Sequence, residues 1–196
     1  MGLPVRHTDN PDFISPEDYL RLEREAEFRH EYVEGKIIAM VGASYSHNLI
    51  CMNLGGEMRS QLRGKNYSVV GSDQRLQIMS GSAFVYPDLT VVCAPPKFNE
   101  EKKPDTLLNP TLLVEVLSPT TSQYDRSDKF MLYRQVPSLR QYLVLDSQSA
   151  YAELHTQDER GRWVLTETRD LDAVLDLSSI GCQVPLAEVY AGVELG

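Results

Sequence analysis

Hydrophobic positions along this chain alternate between a helical spacing and a strand spacing, with turn residues punctuating the changes. Ser15-Pro16-Glu17 supplies a side-chain cap, a proline at the first helical position and acids in the first turn. A helix is therefore predicted to about residue 26. Residues 31–33 and 36–41 read as a short hairpin turning at Glu34-Gly35. Over residues 46–63 the apolar positions Ile50, Leu54, Met58 and Leu62 recur every four, which predicts a second helix, closed by Gly64. Residues 68–78, 84–93 and 111–117 read as three strands, with a charged, proline-containing loop before the last. A third helix fits residues 123–135, stopped by Pro137, and leads to a strand over 141–146. A hairpin (151–156 and 163–168) turning at Glu159-Arg160-Gly161 and a short helix over 185–190 complete the chain.

With no internal repeat and no low-complexity linker, these elements imply one domain over residues 1–196. Its class is α/β, an α+β mixed sheet flanked by helices. The order helix, three strands, helix, strand forms the centre.

Two acids stand out against this pattern. In Leu112-Leu113-Val114-Glu115-Val116-Leu117 both alternating faces are apolar, as in a strand covered on both sides. A carboxylate there is costly unless it is paired, protonated or bound to a metal. Phe84 to Val92 repeats the situation around Asp88, and Pro87 removes a ladder donor just before the acid, which implies a bend or bulge. If the two strands are neighbours, Asp88 and Glu115 converge at one sheet edge. Oxygen ligands of that kind select a hard cation such as Mg²⁺ or Mn²⁺. Taken singly, each acid is equally well read as a turn cap or as the partner of a buried arginine.

Composition constrains the rest. The formal charge of −9 is the wrong sign for gripping nucleic acid by bulk electrostatics. No apolar run approaches the roughly 20 residues that span a bilayer, so no membrane association is expected. Cys51, Cys93 and Cys182 are far apart, odd in number and set among apolar residues. They read as small core residues of a cytoplasmic protein.

The string Tyr86-Pro87-Asp88 followed by Glu115-Val116-Leu117 resembles the P-D…(D/E)-x-K signature of the restriction-endonuclease-like superfamily. More closely, the chain resembles the Uma-type bacterial family of restriction endonucleases. Glu34-Gly35-Lys36-Ile37, Met40-Val41-Gly42-Ala43 with His47, Glu115 to Thr120, Asp125-Arg126…Lys129…Tyr133-Arg134 and Pro137-Ser138-Leu139…Tyr142 carry that resemblance. It covers about residues 15–190.

The resemblance implies a restriction-endonuclease-like core and hydrolysis of DNA phosphodiester bonds. Asp88 and Glu115 would hold Mg²⁺ or Mn²⁺, with the Val116 carbonyl as a further ligand. The metal would lower the pKa of an attacking water. Glu34 and His47 occupy places where the family has an acid and a histidine, which implies roles at the metal or its waters. The wider superfamily has a lysine where this chain has Leu117. Lys129 is the implied replacement, since Asp125, Lys129 and Tyr133 recur every four residues along one helix face. Ser118 is an outlying candidate beside them.

A homodimer is expected from the need to cut two strands, with Val184, Leu186, Val189 and Tyr190 either offering apolar contact or, as naturally, packing within the molecule. A cationic rim of Arg59, Arg63, Lys65, Lys97, Lys102, Lys103, Arg126 and Arg134 would offset the acidic balance. The alternative is a nuclease fold without activity, serving as a binding or assembly module.

Overall fold

The computed structural model describes residues 13–40, 42–78, 81–93, 95–99, 106–118 and 128–196. Helix α1 (Pro16–Glu25) begins where Ser15 accepts the Asp18 amide, as the cap pattern requires. The hairpin β1 (His30–Val33) and β2 (Lys36–Ala39) turns through Glu34 and Gly35, both at positive φ (48° and 91°). That geometry matches the twist of the two strands. Helix α2 (Tyr45–Gln61) is capped by the Ser44 hydroxyl, and its four-residue stripe Ile50, Leu54, Met58 and Leu62 is buried.

The segments expected as two long strands are each two shorter ones. β3 (Tyr67–Gly71) and β4 (Arg75–Ile78) are separated by a turn in which the Gln74 amide bonds the Gly71 carbonyl. β5 (Ala83–Val85) and β6 (Leu89–Cys93) are separated at Tyr86-Pro87-Asp88. In both cases the chain crosses from one sheet to another. Proline is the cause in the second case, because it can neither donate to a ladder nor follow a central strand's path.

β7 (Thr106–Leu107) falls in the loop before β8 (Leu112–Leu117). A short helix, α3 (Phe130–Tyr133), stands within the expected third helix, whose first part (residues 123–127) lies outside the described residues. β9 (Gln141–Asp146), β10 (Ala152–Gln157) and β11 (Trp163–Thr168) follow as expected. The tail adds a hairpin that the sequence pattern did not reveal, β12 (Val174–Leu177) and β13 (Cys182–Pro185), before α4 (Leu186–Val189).

One sheet has the order β11-β10-β9-β8-β6-β3, with β8 and β9 parallel and their neighbours antiparallel. The other has the order β2-β1-β5-β4-β7. Side-chain alternation along β8 and β9 splits the core in two. Leu112, Val114, Val116, Leu143 and Leu145 pack with the α2 stripe and the tail. Leu113, Leu117, Tyr142 and Val144 pack with β4, β5 and α3. The tail residues Val184, Leu186, Val189 and Tyr190 are buried in the first of these cores. Of the two readings the sequence left open for them, packing within the molecule is the one the structure shows.

Candidate active site

Glu115 is the fourth residue of β8 and is 3% exposed, on the face shared with Leu113 and Leu117. Leu117 fills apolar space against Tyr133 and Tyr142, so a lysine at that position would be thrust into the core. The cation arrives from another element. The Lys129 ammonium lies 3.1 Å from Glu115 Oε1 and 3.2 Å from Glu31 Oε1, and it is 7% exposed.

Its placement follows from the residues beside it. Phe130 stacks on His155 with ring centroids 4.0 Å apart and meets the Trp163 ring edge-on at 5.5 Å. One turn on, Tyr133 meets Tyr142 edge-on and donates its hydroxyl to Glu115 Oε1 at 2.5 Å. Burial first, and the neighbouring Glu115 next, push the Tyr133 phenol well above its ordinary range, so it remains a donor. Asp125, the third member of the expected helix face, lies outside the described residues.

Asp88 immediately precedes β6. In the β6–β8 register Leu89 faces Val114, so the next positions would be Asp88 and Pro87 opposite Glu115 and Val116. Pro87 breaks the ladder there, and the Val116 amide donates instead to Asp88 Oδ2 at 2.7 Å. The other carboxylate oxygen, Oδ1, is 3.1 Å from His47 Nε2 on α2.

These groups line a single cavity of about 510 Å³ that includes Glu31, His47, Cys51, Asp88, Glu115, Val116, Ser118 and Lys129. Of the residues expected at the site, His47, Asp88, Glu115, Val116, Ser118 and Lys129 line this cavity. Glu34 is exposed at the hairpin turn and is not among the lining residues, because its left-handed conformation turns it outward. Glu31, three residues earlier, is 4% exposed in β1 and also accepts the Tyr86 amide at 3.3 Å. The signal for it was available: Glu31 is the one acid within the first strand of the hairpin.

Cys51 was expected in the core and instead lies half-buried in the cavity wall, while Cys93 is exposed. Burial, with Asp88 and Glu115 adding to it, pushes the Cys51 thiol well above its ordinary value.

None of the expected rim cations is among the described lining residues, where Lys129 is the only lysine or arginine, though Arg29 borders the lining through the Ser72 carbonyl and the Tyr86 ring. Arg59 is twelve residues beyond His47 on α2, roughly 18 Å along the helix at ~1.5 Å per residue. Lys97 lies past the far end of β6 from Asp88. Arg134 is exposed on the helix that carries Tyr133, away from the cavity lining. Lys102, Lys103 and Arg126 lie outside the described residues.

The lining holds three carboxylates, Glu31, Asp88 and Glu115, against one ammonium. With His47 neutral, that leaves an excess of two negative charges if all the acids are ionised. Three carboxylates around one ammonium are a donor set that suits a divalent cation, so the described residues fit a metal.

A mixed sheet interrupted by proline beside an acid, with a second acid in the adjacent strand, fits the restriction-endonuclease-like class, the lysine reaching that acid from position 129 rather than from the strand. The crystal structure of "a putative nuclease belonging to DUF820" from Anabaena variabilis has the same fold. It aligns with a TM-score of 0.75 and 18% identity over 91% of this chain and 98% of that one. The chain belongs to the Uma2 family, described as "Putative restriction endonuclease", whose pattern matches residues 16–187. Two Synechocystis relatives are each 34% identical. "Uncharacterized protein slr1290" aligns over 96% of this chain and 98% of its own length, and "Uncharacterized protein sll1609" over 84% and 93%. No helix among the described residues is long and apolar enough to cross a membrane.

Proposed function

We propose that this protein is a metal-dependent endonuclease that hydrolyses DNA phosphodiester bonds at the cavity lined by Asp88 and Glu115. The observation that carries the reading is Lys129, buried and bridging Glu115 and Glu31 where the superfamily lysine is replaced by Leu117.

Asp88 and Glu115 would hold Mg²⁺ or Mn²⁺, with the Val116 carbonyl as a further oxygen. The cation, when bound, supplies a lowered pKa for an attacking water and charge neutralisation at phosphate. The protein's own groups do the positioning. His47 and the Val116 amide fix both oxygens of Asp88. Lys129 and Tyr133 fix Glu115 Oε1, and Lys129 adds the one positive side chain that faces a phosphate in the cavity. Glu31, rather than Glu34, supplies the additional acid.

DNA would be held chiefly through the metal, because the described mouth offers few cations to release counterions from the backbone. Two copies related by a two-fold axis would place one such cavity on each strand of a duplex.

The test is cleavage of supercoiled plasmid, linear duplex and single-stranded DNA by the purified protein with Mg²⁺ or Mn²⁺. Nicking that disappears with chelator and in Asp88→Asn, Glu115→Gln and Lys129→Met is the expected result. No cleavage of any of these substrates with either ion overturns it. The acidic balance and cation-poor mouth favour one second reading, an inactive binding module. That reading is selected if DNA is bound but never cut.

A further inference from the structure

His47 and Cys51 are four residues apart on α2, so they project from one face of the helix into the cavity, where Asp88 meets them. An imidazole nitrogen, the Cys51 sulfur and an Asp88 oxygen all lie within 4.8 Å of one another. The His47 to Asp88 edge of that triangle is already 3.1 Å. Around a tetrahedral ion with bonds of ~2.0–2.3 Å, ligand atoms stand roughly 3.3–3.7 Å apart. The triangle therefore needs to close by about 1 Å at most, within the reach of side-chain rotation about χ1 and χ2.

Nothing in the phosphodiesterase reading uses the sulfur. Mg²⁺ is a hard ion that takes oxygen and retains its waters, so a thiol is no ligand for it. Nitrogen, sulfur and one carboxylate together are the ligand set of borderline ions, which bind such sites far more tightly than Mg²⁺ does. Asp88 belongs to both sets.

We infer that His47, Cys51 and Asp88 form a site for a single borderline transition-metal ion of the Zn²⁺ class. Because Asp88 is shared, the ion at this site excludes Mg²⁺ from Asp88. The binding stands on the triangle alone, whereas the exclusion rests on the nuclease reading above. Zn²⁺ is then an inhibitor of the Mg²⁺-supported reaction, acting within the cavity rather than at a remote surface.

Cobalt(II) is the direct probe, since a Co²⁺–thiolate bond gives an intense near-ultraviolet charge-transfer band that oxygen and nitrogen ligands do not. Titrating the reduced, chelator-treated protein with Co²⁺ should develop that band to one equivalent, and Zn²⁺ should abolish it by displacement. Cys51→Ser should lose the band, and Cys93→Ser should keep it. X-ray absorption of the wild-type protein with one equivalent of Zn²⁺ should show a sulfur neighbour at about 2.3 Å, which requires no variant to fold. Co²⁺ binding without the band, a zinc shell of oxygen and nitrogen only, or no binding at stoichiometric concentration overturns the site.

Cleavage assays test the exclusion separately. Zn²⁺ should inhibit Mg²⁺-supported cleavage, and Cys51→Ser should raise the half-inhibiting Zn²⁺ concentration at least tenfold relative to its own uninhibited rate. An unchanged midpoint in Cys51→Ser overturns the exclusion. A protein that shows the cobalt band but cuts nothing with Mg²⁺ overturns the nuclease reading and leaves the metal site standing.

Discussion

The Asp88 carboxylate accepts the backbone amide of Val116 at 2.7 Å, just beyond the point where the β6–β8 ladder stops at Leu89. The acid thus satisfies a buried donor as well as facing the cavity. Asparagine keeps an acceptor for that amide, whereas alanine leaves it bare. We expect Asp88→Asn to lose Mn²⁺ binding by calorimetry with a melting temperature near wild type. Asp88→Ala should cost about 1–3 kcal/mol in addition, read by urea unfolding.

Removing Lys129 separates two consequences. Lys129→Met should lower cleavage by at least ~100-fold, the loss of one pre-placed charge from a dry site. It should also destabilise by about 3 kcal/mol, because Glu31 and Glu115 lose the cation between them. Adding Leu117→Lys should not restore activity, since position 117 points into the apolar cluster around Tyr133. Recovery in the double variant would show that the helix position is interchangeable with the strand position.

Tyr133→Phe keeps the ring and deletes the donor to Glu115. A loss of about 1–2 kcal/mol in stability and a fall in turnover of roughly tenfold are the expected results. Burial holds the wild-type phenol protonated far into the alkaline range, so its titration does not enter the working pH window. The pH–rate profile of Tyr133→Phe should therefore keep the wild-type shape on its alkaline side. A new alkaline limb in either protein would contradict the donor role.

Glu34 and Glu31 should exchange the importance that sequence resemblance assigns. Glu31→Gln should reduce cleavage markedly, and Glu34→Ala should leave it within about twofold. Glu34→Gly relieves a left-handed backbone position and should raise stability by up to ~1 kcal/mol.

Thiol reactivity offers a check that needs no activity. Exposed Cys93 should be alkylated first at mildly alkaline pH, ahead of Cys51, whose thiol is held up by burial and by Asp88 and Glu115. Mass spectrometry of partially modified protein reads the order directly.

The sequence made the mixed α+β class legible, and with it the positions of several residues that line the cavity. Glu115 was visible because a lone charge in an unbroken apolar run has few inexpensive explanations. Lys129 and Tyr133 were visible because four-residue spacing aligns side chains on a helix whatever it packs against. The sheet exchange at Tyr86-Pro87-Asp88 was half visible: Pro87 announced a break, but not that the flanking pieces belong to different sheets. Nothing local marks the β3 to β4 crossover so plainly, since Arg75-Leu76-Gln77-Ile78 continues an alternation that suits either sheet. The resemblance points to Glu34, whereas the buried acid in the cavity lining is Glu31, because burial follows the pleat of β1. The tail hairpin was missed because Val174–Leu177 and Cys182–Pro185 are short and owe their burial to α2 and the central sheet.

The cavity draws on residues 31, 47, 88, 115 and 129, with Glu31 from one sheet, Glu115 beside the other's centre in β8 and Lys129 at the N-cap of α3. No two of these ligating or bridging groups are neighbours in sequence. Closing such long loops is slow and entropically costly until most of the chain has docked. The cavity is accordingly complete only where both sheets and the segment before α3 are docked together.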